Sequence, residues 1–201
     1  QQTEFSAIMA CSSGASYTNK PISCNGANLA YSRKLYDQIK PYDLNTEIAS
    51  GDDVFFLFEA KNRLDNSAIG FAASEFAVVT TSPLTNLTDF LNQRVRWAKK
   101  SRYFNDWESK RFGMSVISLN MLLLFQMVYS FFDHKVISIF ILCFTFKLLS
   151  DCFLLSSIRG WNSLNNLVLR SFLLSLIYPF YLLIIALLSL LSDSKWKGRN
   201  L

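Results

Sequence analysis

Three apolar segments, residues 114–132, 136–157 and 167–191, constrain the fold of this 201-residue chain more than any other feature. At 1.5 Å per residue each is long enough, as a helix, to cross a hydrocarbon core of about 30 Å. Their near absence of charge argues against three buried helices of a large soluble protein. Lys147 and Asp151 are the exceptions in the second segment. Four residues apart, they pair on one helix face, and ions at membrane depth normally face protein or water. A packing pair and a place on a transport path both fit that spacing, and the lack of other ionisable residues favours packing. The third segment carries Tyr178-Pro179 near its middle. Proline breaks helical hydrogen bonding and leaves halves of about 11 and 12 residues, each too short to span. Two readings follow: a kinked straight crossing, or a re-entrant hairpin whose break is buried against protein.

The chain is 51% hydrophobic and 17% charged, more apolar than a soluble domain of this size. Residues 1–113 hold 13 basic against 12 acidic side chains, and residues 114–201 hold 7 against 3. The net positive charge, +4 of the +5, therefore belongs to the apolar half, where Lys and Arg in loops signal topology, and no nucleic-acid partner is expected. Cys11, Cys24, Cys143 and Cys152 show no CxxC spacing and read as buried small hydrophobes rather than a disulfide framework or zinc site. Gln1-Gln2-Thr3-Glu4 has the look of mid-helix, without an initiator Met or signal peptide, so the chain is expected to be the C-terminal portion of a longer protein.

Residues 1–113 read as soluble. After a short mixed stretch, Ser12-Ser13-Gly14-Ala15-Ser16 reads as a loop. Cys24-Asn25-Gly26-Ala27-Asn28 reads as a turn, either an ordinary one or one in which Gly26 lets backbone approach a ligand. Residues 32–39 form a short helix that stops before Lys40-Pro41. At Gly51-Asp52-Asp53 a loop delivers two carboxylates to the start of an apolar helix. Either one caps the free N–H groups there, or the repelling pair gives one carboxylate the work of a general base. Residues 68–80 alternate and read as a buried strand, and residues 86–104 as a helix. The order strand, helix, helix, strand, helix predicts the second half of an α/β domain, followed by an all-α membrane region.

The helix over 86–104 carries Gln93-Arg94-Val95-Arg96-Trp97. Gln93 and Arg96 share a face because i and i+3 are neighbours on a helix surface. The guanidinium is a planar fork that matches phosphate oxygens in pairs, the indole is a flat apolar face for a sugar ring, and the amide both donates and accepts. An amphipathic helix with Arg and Lys on lipid headgroups and Trp97 in the interfacial belt fits the same residues.

Asp52-Asp53, then Gln93-Arg94-Val95-Arg96-Trp97, then membrane segments: this order resembles that of the membrane-embedded glycosyltransferase family 2, which includes cellulose, chitin and hyaluronan synthases. Gly26-Ala27-Asn28 is similar to a segment these enzymes carry upstream, and Trp196-Lys197-Gly198-Arg199 to the tail of many bacterial members. The resemblance implies a GT-A-like catalytic domain of which 1–113 is the C-terminal half, and a membrane region over 114–201. It implies inverting transfer of a sugar from a nucleotide-diphosphate donor to a glycan or lipid-linked acceptor. Asp53 matches the aspartate that ends the Thr-Glu-Asp motif and acts as base. Gln93, Arg96 and Trp97 match Gln-x-x-Arg-Trp, which binds the diphosphate and the acceptor end. Gly51 and Asp52 depart from the Thr and Glu of the pattern. A divalent metal, Mg or Mn, is implied on an Asp-x-Asp motif that these 201 residues lack. The family also implies a cytoplasmic catalytic part at the inner cell membrane, in agreement with Lys99, Lys100, Arg102, Lys110 and Arg111 ahead of the first segment. A membrane anchor or transporter subunit with a partner-binding soluble part is the competing class. It predicts no convergence of acidic and basic residues.

Overall fold

The structure, a computed structural model, describes residues 1–39, 51–158 and 166–191, with the backbone of 195–196 and 199–200. Seven α-helices occupy these residues: α1 Gln2–Tyr17, α2 Arg33–Ile39, α3 Asp52–Arg63, α4 Leu87–Ser101, α5 Trp107–Tyr129, α6 Lys135–Ser157 and α7 Leu167–Leu191. The chain divides into two compact units, one of residues 1–11 and 112–184, the other of residues 12–111 and 185–201.

Among the described residues the expected α/β domain is not found. The strands among the described residues are a two-residue antiparallel ribbon, Lys195 opposite Asn200 and Trp196 opposite Arg199. Residues 68–80, expected as a buried strand, instead follow one short 3-10 turn at Asn66–Ala68 and contain another at Glu75–Ala77, with Phe76 94% exposed. A strand needs a neighbour for its backbone groups, and among the described residues no strand pairs with this run. Within the run local groups accept instead: the Ser74 hydroxyl accepts from the Phe76 N–H and the Ser74 carbonyl from the Ala77 N–H. The expected loop at 12–16 is also overturned, because α1 runs through it to Tyr17. Glycine weakens a helix interior by only about 1 kcal/mol, and buried Ser12 is satisfied by a hydrogen bond with the Ser23 hydroxyl at 2.6 Å.

In the unit of 12–111 and 185–201 the core is α3, which buries Val54 to Phe58 and Ala60 and so is covered almost all round. Val54, Phe55, Leu57 and Phe58 pack with Cys24, Ile69 and Phe104; Phe56 and Ala60 pack with Ile39, Leu35 and Tyr36. Phe104 meets Phe55 and Phe58 edge-on, with centroids 6.2 and 5.0 Å away. Asn86 caps α4 by accepting from the Thr88 N–H, and Lys99 and Lys100 end it, as the helix dipole favours. Asp106 caps α5 through the Ser109 N–H and forms a buried ion pair with Lys61 of α3.

In the unit of 1–11 and 112–184, α5, α6 and α7 are long and apolar enough to cross a membrane. The first begins at Trp107, seven residues before the apolar run, because Asp106 caps it there and the polar first turns continue the same helix. Lys147 and Asp151 pair at 2.5 Å on α6, and Ser175 of α7 donates to Asp151 at 2.7 Å. The re-entrant reading of 167–191 is overturned: α7 continues through Pro179 for 25 residues. Gln2 accepts from Arg170, and Glu4 from the Tyr181 hydroxyl, which fastens the start of α1 to α7. Lys40-Pro41, Lys197 and Gly198 lie outside the described residues.

Candidate functional site

Asp53, the second residue of α3, is the centre of the site. Its Oδ2 accepts the Gly26 N–H at 2.9 Å and its Oδ1 the Val54 N–H at 2.8 Å. Helix α3 starts at Gly51, in a left-handed conformation with φ +107°, and no side chain caps it. Asp53 is therefore not the N-cap; its carboxylate turns across to a loop 27 residues upstream. A carboxylate fixed by two backbone donors at the positive end of a helix is a charge with a defined direction. Asp52 stands exposed in the same helical turn.

The Gly26 N–H is presented by a 3-10 turn, Gly26–Asn28, which Asn25 caps by accepting from the Ala27 N–H. A Cβ on Gly26 would stand 3.4 Å from Asp53 Oδ2, an ordinary contact, so what the position supplies is its N–H. Asn28 donates to the Ala77 carbonyl at 2.5 Å and ties this loop to the turn at Glu75–Ala77. Cys24 donates its S–H to the Asp53 carbonyl at 3.1 Å. Burial first, then the Asp53 charge, push its thiol up to about 12, against a smaller opposing pull from Lys100.

Helix α4 supplies the positive charge. At 100° per residue, Phe90, Gln93, Arg94, Arg96, Trp97 and Lys100 fall within about 160° of its circumference. The motif residues divide within that arc. Arg94 is buried and stacked, its guanidinium 4.6 Å from the Phe90 ring and 4.3 Å from the Trp97 ring, and it donates to Gln93 at 2.6 Å. Gln93 and Trp97 thus gather around Arg94. Arg96 goes with Lys100, whose ammonium feels its charge, and burial draws the Arg96 guanidinium below its ordinary value without threatening its charge. Lys100 reaches Asp53, with Nζ 4.0 Å from Oδ1.

Gly26, Asp53 and Lys100 therefore meet, with the Arg96 charge felt at Lys100, while Asn28 ties its loop to the turn at Glu75–Ala77 and Gln93 and Trp97 contact Arg94. Lys100 and Cys24 had been read from sequence as a topology charge and a core thiol. The spacing of Lys100 four residues after Arg96 was the signal for its place on the face. Among the described residues no group of three or more His, Cys, Asp or Glu side chains could hold a metal ion. Comparison with family models, curated proteins and solved structures finds no match to this chain.

Proposed function

We propose that this chain belongs to a membrane glycosyltransferase of the family 2 type, which moves a sugar from a nucleotide-diphosphate donor to a glycan or lipid-linked acceptor with inversion. The observation that carries this reading is the Asp53 carboxylate, held by the Gly26 N–H beside the cationic face of α4. In the proposed reaction Asp53 takes the proton of an acceptor hydroxyl as its oxygen attacks the anomeric carbon. Arg96 offers paired donors to the diphosphate that departs on the opposite side. The basic residues around the start of α5 favour a cytoplasmic site at the cell membrane.

Binding of a nucleoside diphosphate tests the reading against a purely anchoring role. In the full-length protein in lipid nanodiscs, titrated with UDP and GDP, Arg96→Lys should weaken binding about tenfold, since lysine keeps the charge and loses the planar fork. Unchanged affinity, with a small change in membrane partitioning, would assign Arg96 to lipid headgroups instead.

A further inference from the structure

Lys100 has no part in the chemistry so far, yet its stem runs through a narrow passage in the site. Its stem crosses Gly51, where φ is +107°; a Cβ there would overlap Lys100 Cδ and stand 3.1 Å from Cε and Nζ. Left-handed backbone and the passage of the lysine stem both demand glycine at position 51. The side chain is 11% exposed, and among the described residues its ammonium makes no hydrogen bond. The 4.0 Å to Asp53 Oδ1 is too long for one.

That gap has the size of a bridging hydroxyl. An oxygen about 2.8 Å from both Nζ and Oδ1 closes it, and a hydroxyl has the one donor and two lone pairs required. Oδ1 spends one lone pair on the Val54 N–H and keeps another for the incoming proton. We propose that Lys100 is a positioning residue that holds the acceptor hydroxyl against Asp53, with Gly51 as the notch that admits its stem. The inference rests on the sugar-transfer reading and adds its acceptor subsite. The hydroxyl O–H bond breaks and its proton passes to Oδ1; the oxygen forms the new bond to the anomeric carbon. The bond from that carbon to the diphosphate breaks, its electron pair leaving with the diphosphate. Lys100 donates to the second lone pair and keeps its proton throughout.

The pH dependence separates this role from a structural one. Among the described residues the charged or titratable groups around the ammonium are Asp53, Cys24, Arg96 and Asp52. Cys24 stays a thiol up to about 12 and Arg96 stays charged. Lys100 itself is lowered from its ordinary 10.5, chiefly by burial, with Arg96 adding and Asp53 opposing. Transfer should therefore fall on the alkaline side before 10.5, as Lys100 loses its proton.

The experiment measures initial transfer from a radiolabelled nucleotide sugar, with acceptor varied, from neutrality into that range, alongside UDP titration. Lys100→Met should lower kcat/KM for acceptor about 10- to 100-fold, as expected for a lost charged hydrogen bond, and leave UDP affinity within about twofold. Lys100→Arg should keep more of the rate and lose the alkaline fall. Gly51→Ala, which leaves every charge in place, should reproduce the Lys100→Met defect and add little to it in the double variant. Acceptor kinetics of Lys100→Met within about threefold of the parent would overturn the inference. So would an unchanged alkaline fall in Lys100→Arg. If transfer fails in Asp53→Asn but survives in Lys100→Met, this inference alone falls; if the parent transfers no sugar at all, the reaction reading falls with it.

Discussion

Arg94 and Arg96 stand two residues apart on α4 and do different work. Arg94 is a packing residue, sandwiched by Phe90 and Trp97 and bonded to Gln93, and it is among the few buried charges of its unit. Arg94→Ala removes the stacked plane and the Gln93 bond together, so it should cost about 2 kcal/mol, read as a lowered Tm in detergent. Arg96→Ala, on the half-exposed flank, should cost well under half of that. Equal losses would mean the two guanidinium groups share one structural role. The motif spelled both arginines in sequence, but only the rings at 90 and 97 decide which is enclosed. Asp53 and Gly26 were legible as separate signals; their hydrogen bond was not, because nothing in the sequence gives the distance between residues 27 positions apart.

At the scale of elements, the contact that aligns helix α3 is the cluster around Lys61. Its ammonium pairs with Asp106 at 2.5 Å and with Glu108 at 3.3 Å, and donates to the Pro21 carbonyl at 2.9 Å, while Ser109 donates to the Ile22 carbonyl. The start of α5 and the loop that continues to Gly26 are thereby fixed to the far end of the helix that carries Asp53. Burial alone would raise the Asp106 carboxyl, but hydrogen bonds from Lys61 and Ser109 outweigh it and hold it below its ordinary 3.8. A depressed acid contributes stability above its unfolded value and loses that contribution as pH falls through its folded value. Asp106→Asn should cost about 3 kcal/mol at neutral pH, and the gap in Tm between parent and variant should narrow below about pH 4. A gap that stays constant down to about pH 3 would show that the pair carries no such linkage. The elements with a clear period or length, α3, α4 and the three apolar helices, were legible in sequence. Residues 68–80 were not, since alternation describes a strand only if another strand lies beside it. Helix α1 was hidden by its serines and glycine, which propensity places in loops and packing places in a helix.

The whole molecule carries three helices fit for a membrane and, in its other unit, one helix buried almost all round. Length and charge alone announced the first; the second was misjudged as α/β because short apolar runs do not distinguish a buried helix from a strand. The order of motifs along the chain survives that correction, since the positions of Asp53 and the α4 cations depend on helix starts and faces rather than on a sheet. The central claim is that Asp53 is the base of a sugar-transfer reaction. Its most direct measurement is sugar transfer by the full-length protein with Asp53→Asn and, separately, Asp52→Asn, with UDP affinity followed in both. Asp53→Asn should reduce transfer about 10²-fold or more with nucleotide binding nearly intact, and exposed Asp52→Asn should cost far less. Retention of more than about a tenth of the rate in Asp53→Asn, or a larger loss at Asp52, would contradict the assignment.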